Sequence, residues 1–280
     1  MLKRVITGMC LTMVLIPLLV FSDTWAFPIA LAVVSVLCVF EMIRCVGYHK
    51  NIALTFPLYA FAIAFPLLQR FFADDILFVA KIAFISVMLY TIYLFAFVIF
   101  SHGKLLYTDA VTMCMTVYYI LLGINTLIYI RDFENGQYIY LLIFIGAWFT
   151  DTFAYFTGVL FGKHKLIEDV SPKKTIEGSI GGTFFCALGF VVLGLIVDAI
   201  DPAVEPNIVF LLVSGLVIAV ISQLGDLIMS VIKRHYGIKD YGKLLPGHGG
   251  ALDRFDSILA VSIGVAATCM LSSMMNIPLL

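Results

Sequence analysis

Charged residues are scarce in this sequence: only 12% of its 280 residues are Asp, Glu, Lys or Arg. A soluble domain carries about 25% of such residues. Hydrophobic residues make up 62% of the chain, and its mean hydropathy is +1.07. The composition therefore excludes an ordinary soluble protein and predicts an integral membrane protein. The net charge of −1 points to no partner, because the charges are strongly segregated along the chain.

The signatures of several other protein classes are also missing. Six cysteines are scattered without CxxC spacing, most of them inside apolar runs, which indicates neither a disulfide framework nor a thiolate metal site. No GxxxxGK[ST] motif is present, so the chain is not a P-loop protein. No loop is long enough to form a soluble domain, and we expect no nucleic-acid partner.

Long apolar runs are what the sequence has in abundance. A helix needs about 20 residues to cross roughly 30 Å of hydrocarbon. Nine runs meet this requirement and predict an all-α polytopic bundle of about nine transmembrane helices, near residues 5–21, 25–43, 52–72, 76–100, 107–130, 137–161, 179–200, 207–232 and 253–275. The first run follows a basic start, but no small-x-small cleavage site follows it, so we interpret it as a helix and not a signal peptide.

The basic residues predict how this bundle is oriented. With nine spans and a cytoplasmic N-terminus, 14 of the 17 Lys and Arg residues fall in inner segments. This distribution agrees with the positive-inside rule. We therefore expect an integral membrane protein, in the plasma or inner membrane if it is bacterial, with its polar C-terminal segments facing the cytoplasm.

Residues that could bind substrate or take part in catalysis are unevenly distributed between the two halves of the chain. Residues 1–135 are predicted to be transmembrane scaffold in contact with lipid, and residues 136–280 to form the catalytic region. In the first half, Glu41, Lys81 and Asp109 lie near predicted helix ends, where a charge can reach the interface. In the second half, Asp151 lies within a span, so it should face protein or water and not lipid. Asp151 then has two possible roles: it forms a wall of the site, or it makes a structural hydrogen bond between helices.

The loop after the sixth predicted span is strongly basic. It contains Lys173 and Lys174 directly after Ser171-Pro172, which is a signal for a turn or a helix start. One interpretation is phosphate binding; the other is an ordinary positive-inside loop that contacts acidic lipid head groups.

The last two predicted spans carry the densest set of polar residues. Ser222, Asp226, Ser230 and Lys233 recur at helical spacing and form a polar stripe on the eighth span. Asp253 and Asp256 share a face at the start of the ninth. Carboxylates in a first helical turn are also good caps, which is their structural explanation. The residues between these spans are rich in glycine and charge: Arg234, Lys239, His248, Gly249, Gly250 and Arg254.

These carboxylates predict a metal site for phosphate chemistry. Hard oxygen ligands suit Mg²⁺, which commonly takes one or two carboxylates plus substrate phosphates. The cluster lacks the His and Cys ligands of a zinc site. Metal and cations can neutralise the charge that develops on phosphate oxygens during transfer. The residues alone thus indicate metal-assisted phosphate chemistry on a membrane-resident substrate, and leave the reaction open.

The run SVIKRHYGIKDYGKLLPGHGGALDRFD, residues 230–256, resembles the signature of the phosphatidate cytidylyltransferases, also called CDP-diacylglycerol synthases. The upstream Gly-Lys-His-Lys and Ser-Pro-Lys-Lys-Thr-x-Glu-Gly runs are similar to the same family. Ala251 departs from it, since the family usually has a larger residue there. The resemblance covers the C-terminal half of the chain from about Asp151.

The resemblance implies that CTP and phosphatidic acid give CDP-diacylglycerol and pyrophosphate in the lipid bilayer. It implies Mg²⁺ bound by Asp226 and Asp253, with Asp256 binding a second, monovalent cation or ordering the site, and a homodimer. Catalytic roles fall to these three carboxylates with Lys233 and Arg234. Substrate binding falls to Asp151, Ser171, Lys173, Lys174, Ser222, Ser230, Lys239, His248, Gly249, Gly250 and Arg254. Two alternatives stay open, a CTP-dependent lipid-alcohol kinase and a membrane transporter.

Overall fold

A computed structural model of the chain describes residues 13–244 and 249–280. Within these residues, α1 comprises the helical residues 13–20, and eight further helices are long and apolar enough to cross a membrane. They are α2 (Ala26–Val46), α3 (Ile52–Phe71), α4 (Ile76–Phe100), α5 (Tyr107–Arg131), α6 (Gly136–Phe161), α7 (Ile176–Ile200), α8 (Ile208–His235) and α9 (Leu252–Met275). The predicted polytopic helical membrane protein is confirmed. The start of the first predicted span lies outside the described residues.

A short antiparallel hairpin between α6 and α7 is the one sheet in the described part of the chain. Its strands are β1 (Lys165–Ile167) and β2 (Ser171–Thr175), with Lys165 opposite Thr175 and Ile167 opposite Ser171. The sequence predicted only a loop here. The chain passes directly from β2 into α7, because the Thr175 side chain caps the helix by accepting a hydrogen bond from the backbone N–H of Gly178 at 3.1 Å.

The helices form two compact units, each with its own core. The first contains the described residues of 1–132 and 236–254, and the second those of 133–235 and 255–280. Helix α9 thus begins in the first unit and continues in the second. The predicted functional division at residue 135 stays a prediction; residues 236–254, which it assigned to the catalytic region, pack in the first unit.

In the first unit, α2, α3 and α5 pack on one another and enclose most of the core. Helix α4 is far less covered by protein, since only Val79, Tyr90 and Leu94 are buried, as expected of a helix that faces lipid. A polar cluster fixes one end of this unit. Arg70 forms an ion pair with Asp132 and donates to the backbone oxygen of Ser22 at 2.5 Å, and burial raises the pKa of the Asp132 carboxyl despite the ion pair.

In the second unit, α6 packs along α7, and α7 along α8. Glycines make the α6–α7 approach close: a Cβ at Gly178 would lie 2.6 Å from the backbone oxygen of Ala154, and one at Gly182 would lie 2.7 Å from that of Thr150. This contact places the hairpin at the end of α6, where β2 also packs.

Candidate active site

Three aspartates from three helices form a cluster in which one, Asp256, interacts electrostatically with each of the other two. They are Asp151 on α6, Asp226 on α8 and Asp256 on α9. Asp256 is only 9% exposed and lies within electrostatic range of both other carboxylates and of Lys233. Asp151 accepts a hydrogen bond from the Ser257 hydroxyl at 3.3 Å, which links α6 to α9. Only Asp256 is buried, whereas Asp226 is partly exposed and Asp151 is exposed. Like charges beside a buried carboxylate destabilise it unless a cation is near, so this cluster favours a cationic partner.

Two lysines supply positive charge to the cluster. The Lys174 ammonium lies 2.5 Å from Asp226 Oδ2, and both side chains are about one-quarter exposed, at 24% and 25%. Lys233 is 8% exposed, which is unusual for a lysine and fits its electrostatic interaction with Asp256. Ser230, one turn from Asp226 on α8, donates to Asp226 Oδ1 at 3.4 Å. The predicted polar stripe of α8 therefore faces protein.

Ser222 and its neighbour Gln223 mark the other end of this stripe. Ser222 is completely buried, and its hydroxyl has no hydrogen-bond partner among the described residues. Gln223 instead bonds to α7, donating to the Thr183 hydroxyl at 3.1 Å and accepting from Ser179. Substrate binding by Ser222 stays a prediction.

The hairpin presents the basic residues of the loop. Because side chains alternate along a strand, Lys173 and Lys174 point to opposite faces of β2. Lys173 is exposed, whereas Lys174 is partly buried on Asp226. Arg234 reaches the hairpin from α8, where its Nε donates to the backbone oxygen of Val170 at 3.3 Å. Ser171 begins β2 and is partly buried.

Residues 236–254, the glycine segment, carry the remaining predicted site residues and lie in the first unit. Asp253 is 8% exposed, and its Oδ2 accepts hydrogen bonds from the backbone N–H groups of Tyr241 at 2.8 Å and Gly250 at 2.9 Å. Gly249 has a φ of +86°, which favours glycine. Asp253 therefore stabilises the turn that precedes α9. Both bonds go to N–H groups outside the helix, so they are not the helix cap that its structural explanation predicted. Lys239 and Arg254 are exposed, and His248 lies outside the described residues.

The interpretation of Glu41 as a charge that reaches the interface is wrong. Glu41 is 3% exposed, and its Oε2 accepts a hydrogen bond from the backbone N–H of Leu252 at 2.8 Å. One turn further along α2, Arg44 donates to the backbone oxygen of Tyr241 at 2.5 Å. The helices of the first half therefore contact the glycine segment, whereas the sequence predicted that this half serves only as scaffold in contact with lipid. The signal that could have found Glu41 is an ionisable residue inside an apolar span.

The side chains that could donate oxygen, nitrogen or sulfur to a metal ion bear on the predicted metal site. Among residues 13–244 and 249–280, no group of three or more His, Cys, Asp and Glu side chains is arranged to hold a metal ion. The donor chemistry fits Mg²⁺ nonetheless, because Asp226 and Asp256 offer carboxylate oxygens and this ion usually completes its shell with water and substrate phosphates. Metal ligation by these residues and by Asp253 stays a prediction.

Comparisons with known proteins point to one family. Residues 2–272 of this chain match the Cytidylyltransferase family. The phosphatidate cytidylyltransferase of Staphylococcus haemolyticus is 34% identical over 262 residues, which cover 92% of this chain and 95% of that protein. Those of Staphylococcus epidermidis and Staphylococcus aureus are 41% and 40% identical over 166 residues, which cover 59% of this chain and 61% of each of those proteins.

Proposed function

Because this chain belongs to the cytidylyltransferase family, we propose that it transfers the cytidylyl group of CTP to phosphatidic acid, giving CDP-diacylglycerol and pyrophosphate. The names of the similar staphylococcal proteins support this choice of substrate. The observation that carries the proposal is the set of three carboxylates and two lysines that α6, α8, α9 and the hairpin bring together in the second unit.

The reaction exchanges one phosphorus–oxygen bond for another. An oxygen of the phosphatidic acid phosphate attacks the α-phosphorus of CTP, the bond from that phosphorus to the β-phosphate oxygen breaks, and pyrophosphate leaves with the electron pair. A phosphate monoester carries a nucleophilic anionic oxygen at neutral pH, so the enzyme needs no strong general base. Its main task is to hold two anionic substrates together and to balance their charge.

The lysines are suited to this task. Lys174 binds a phosphate oxygen when it exchanges its ion pair with Asp226 for the ligand, and Lys233 balances the buried Asp256. Lys173 is exposed on the other face of β2 and binds phosphate from there. Arg234 keeps the hairpin on α8 through its bond to Val170 and adds a further charge.

Mg²⁺ would be held by Asp226 and Asp256 together with substrate phosphates, and Asp253 remains a predicted ligand. When bound, it supplies Lewis-acid polarisation of the phosphate and neutralises charge on the leaving pyrophosphate. Asp256 is also the residue at which a second, monovalent cation is proposed. The cytoplasm holds the CTP, so the site is proposed to face that side of the membrane, as the Lys and Arg distribution predicts. The homodimer implied by the family resemblance remains part of the proposal.

The test is a transfer assay with purified protein in lipid nanodiscs. Wild-type protein, labelled CTP, phosphatidic acid and Mg²⁺ should yield labelled CDP-diacylglycerol on lipid chromatography, and EDTA should stop the reaction. Asp226→Asn should insert and purify normally but lose turnover by about 100-fold or more, because the charge that balances Lys174 and binds the cation is gone. Wild-type-like turnover of this variant would remove Asp226 from the proposed site.

A further inference from the structure

Helices α2 and α5 of the first unit hold the glycine segment at three points, which are Tyr236, Tyr241 and Leu252. The Tyr236 hydroxyl donates to Asp109 Oδ1 on α5 at 3.0 Å. Arg44 on α2 donates to the backbone oxygen of Tyr241 at 2.5 Å. Glu41, also on α2, accepts from the backbone N–H of Leu252 at 2.8 Å. The first part of the segment, at Tyr236 and Tyr241, and its end, at Leu252, are thereby fixed to helices of the first half.

Glu41 lies where two stretches of the glycine segment approach each other. An ideal Cβ at Gly242 would lie 2.7 Å from the Glu41 carboxyl carbon and 2.9 Å from the Cα of Gly250. A Cβ at Gly250 would lie 2.5 Å from the same carboxyl carbon. Real Cβ atoms essentially never approach so closely, so a side chain at Gly250 would displace the Glu41 carboxylate, and one at Gly242 would displace that carboxylate and the backbone of Gly250.

The bond to Leu252 gives Glu41 a second effect. Leu252 is the first residue of α9, where backbone N–H groups have no partner within the helix and the helix dipole favours negative charge. Glu41 therefore caps α9 from a different helix. Asp253 follows immediately and binds the N–H groups of Gly250 and Tyr241. The two carboxylates together fix the glycine turn and the first residues of α9.

We propose that Glu41 is a positioning residue of the transfer reaction, a role that rests on the proposed function. Its carboxylate sets the place of the Gly249–Gly250 turn and of Asp253, with Arg44 holding the opposite stretch through Tyr241. A displacement of about 1 Å of reacting or binding groups can cost roughly 100-fold in rate. Loss of Glu41 is thus expected to lower kcat far more than it raises KM.

Variants at Glu41 separate this role from general stability. Glu41→Ala removes the acceptor, Glu41→Gln keeps the shape and one acceptor oxygen, and Glu41→Asp keeps the charge on a shorter side chain. The control is Asp132→Asn, which removes another mostly covered carboxylate of the first unit, one bound to Arg70 and not to the glycine segment. All are assayed in nanodiscs for kcat, KM for CTP, thermal unfolding, and hydrogen exchange of the peptides that cover residues 236–254.

The expected result has three parts. Glu41→Ala lowers kcat by about 100-fold with KM for CTP changed less than about threefold. Glu41→Gln, if Glu41→Ala does not fold, shows a smaller loss of the same kind. Hydrogen exchange of the backbone amides at residues 249–254 becomes faster in the Glu41 variants and stays unchanged in Asp132→Asn. Two results would overturn the inference. One is a Glu41→Ala variant as active as the active wild type. The other is an Asp132→Asn variant that loses as much stability as Glu41→Ala and also loses as much kcat. A wild type that forms no CDP-lipid overturns the proposed function itself, while the exchange result still reports whether Glu41 fixes the segment.

Discussion

Gly250→Ala places a new methyl group against the Glu41 carboxylate and therefore tests directly how the glycine segment packs on α2. The new methyl carbon would lie 2.5 Å from the Glu41 carboxyl carbon, so either the carboxylate or the glycine segment has to move. Overpacking of this kind costs about 1–3 kcal/mol. If Glu41 retreats and releases the N–H of Leu252, a buried unsatisfied donor adds roughly 1–3 kcal/mol. The sum is a large part of the roughly 5–15 kcal/mol that stabilises a typical folded protein.

Gly237→Ala is the matched control in the same segment. Gly237 has a φ of +67° with nothing within 4 Å of its ideal Cβ, so alanine there meets backbone strain but no clash. Left-handed backbone strain for alanine costs about 1–2 kcal/mol. Gly250→Ala should therefore be clearly less stable than Gly237→Ala in thermal unfolding, and its transfer activity should fall further.

A double variant tests the cause. Glu41→Ala removes the carboxylate that the new methyl group meets, so Gly250→Ala and Glu41→Ala together should cost less stability than the sum of the two single changes. The reasoning is refuted if Gly250→Ala is as stable as Gly237→Ala, or if the two losses simply add. Either result would mean that Gly250 does not lie against Glu41.

Two further predictions concern other parts of the chain. Thr175→Ala should lower stability by about 1 kcal/mol because it removes the cap on Gly178, whereas Thr175→Ser should keep it; equal melting of both variants would contradict this. Burial, reinforced by the Asp109 carboxylate, raises the pKa of Tyr236 to about 12 from its usual 10.0. Ionisation is therefore costlier in the folded state, and the stability that Tyr236 contributes is present below pH 10 and lost as the pH rises through about 12. The tyrosinate absorbance that Tyr236→Phe removes should titrate near pH 12, and titration near 10 would refute the prediction.

The membrane helices could be predicted closely from the sequence, and the physical reason is simple. A bilayer requires about 20 apolar residues per span and satisfied backbone hydrogen bonds, so composition alone marks the helices. The run predicted near 76–100 coincides with α4 (Ile76–Phe100). Helix α7 begins at Ile176, three residues before the predicted start, because the Thr175 cap adds a turn that hydropathy does not reveal.

The hairpin and the role of Glu41 could not be predicted in the same way. Strands β1 and β2 are three and five residues long and lysine-rich, so they show neither alternation nor a hydrophobic run. The bond of Glu41 to Leu252 joins residues 211 positions apart, and nothing local in either helix encodes it. By contrast, the helical spacing of Asp226 and Ser230 correctly placed both on one face of α8.

The most direct test of the account is to follow the phosphates of CTP. The purified protein is given phosphatidic acid and CTP labelled either at the α- or at the γ-phosphate, and lipid and aqueous products are separated. Cytidylyl transfer predicts that the α-label enters the lipid and the γ-label leaves as pyrophosphate. Entry of the γ-label into lipid, with release of CDP, would show a lipid kinase and contradict the central claim.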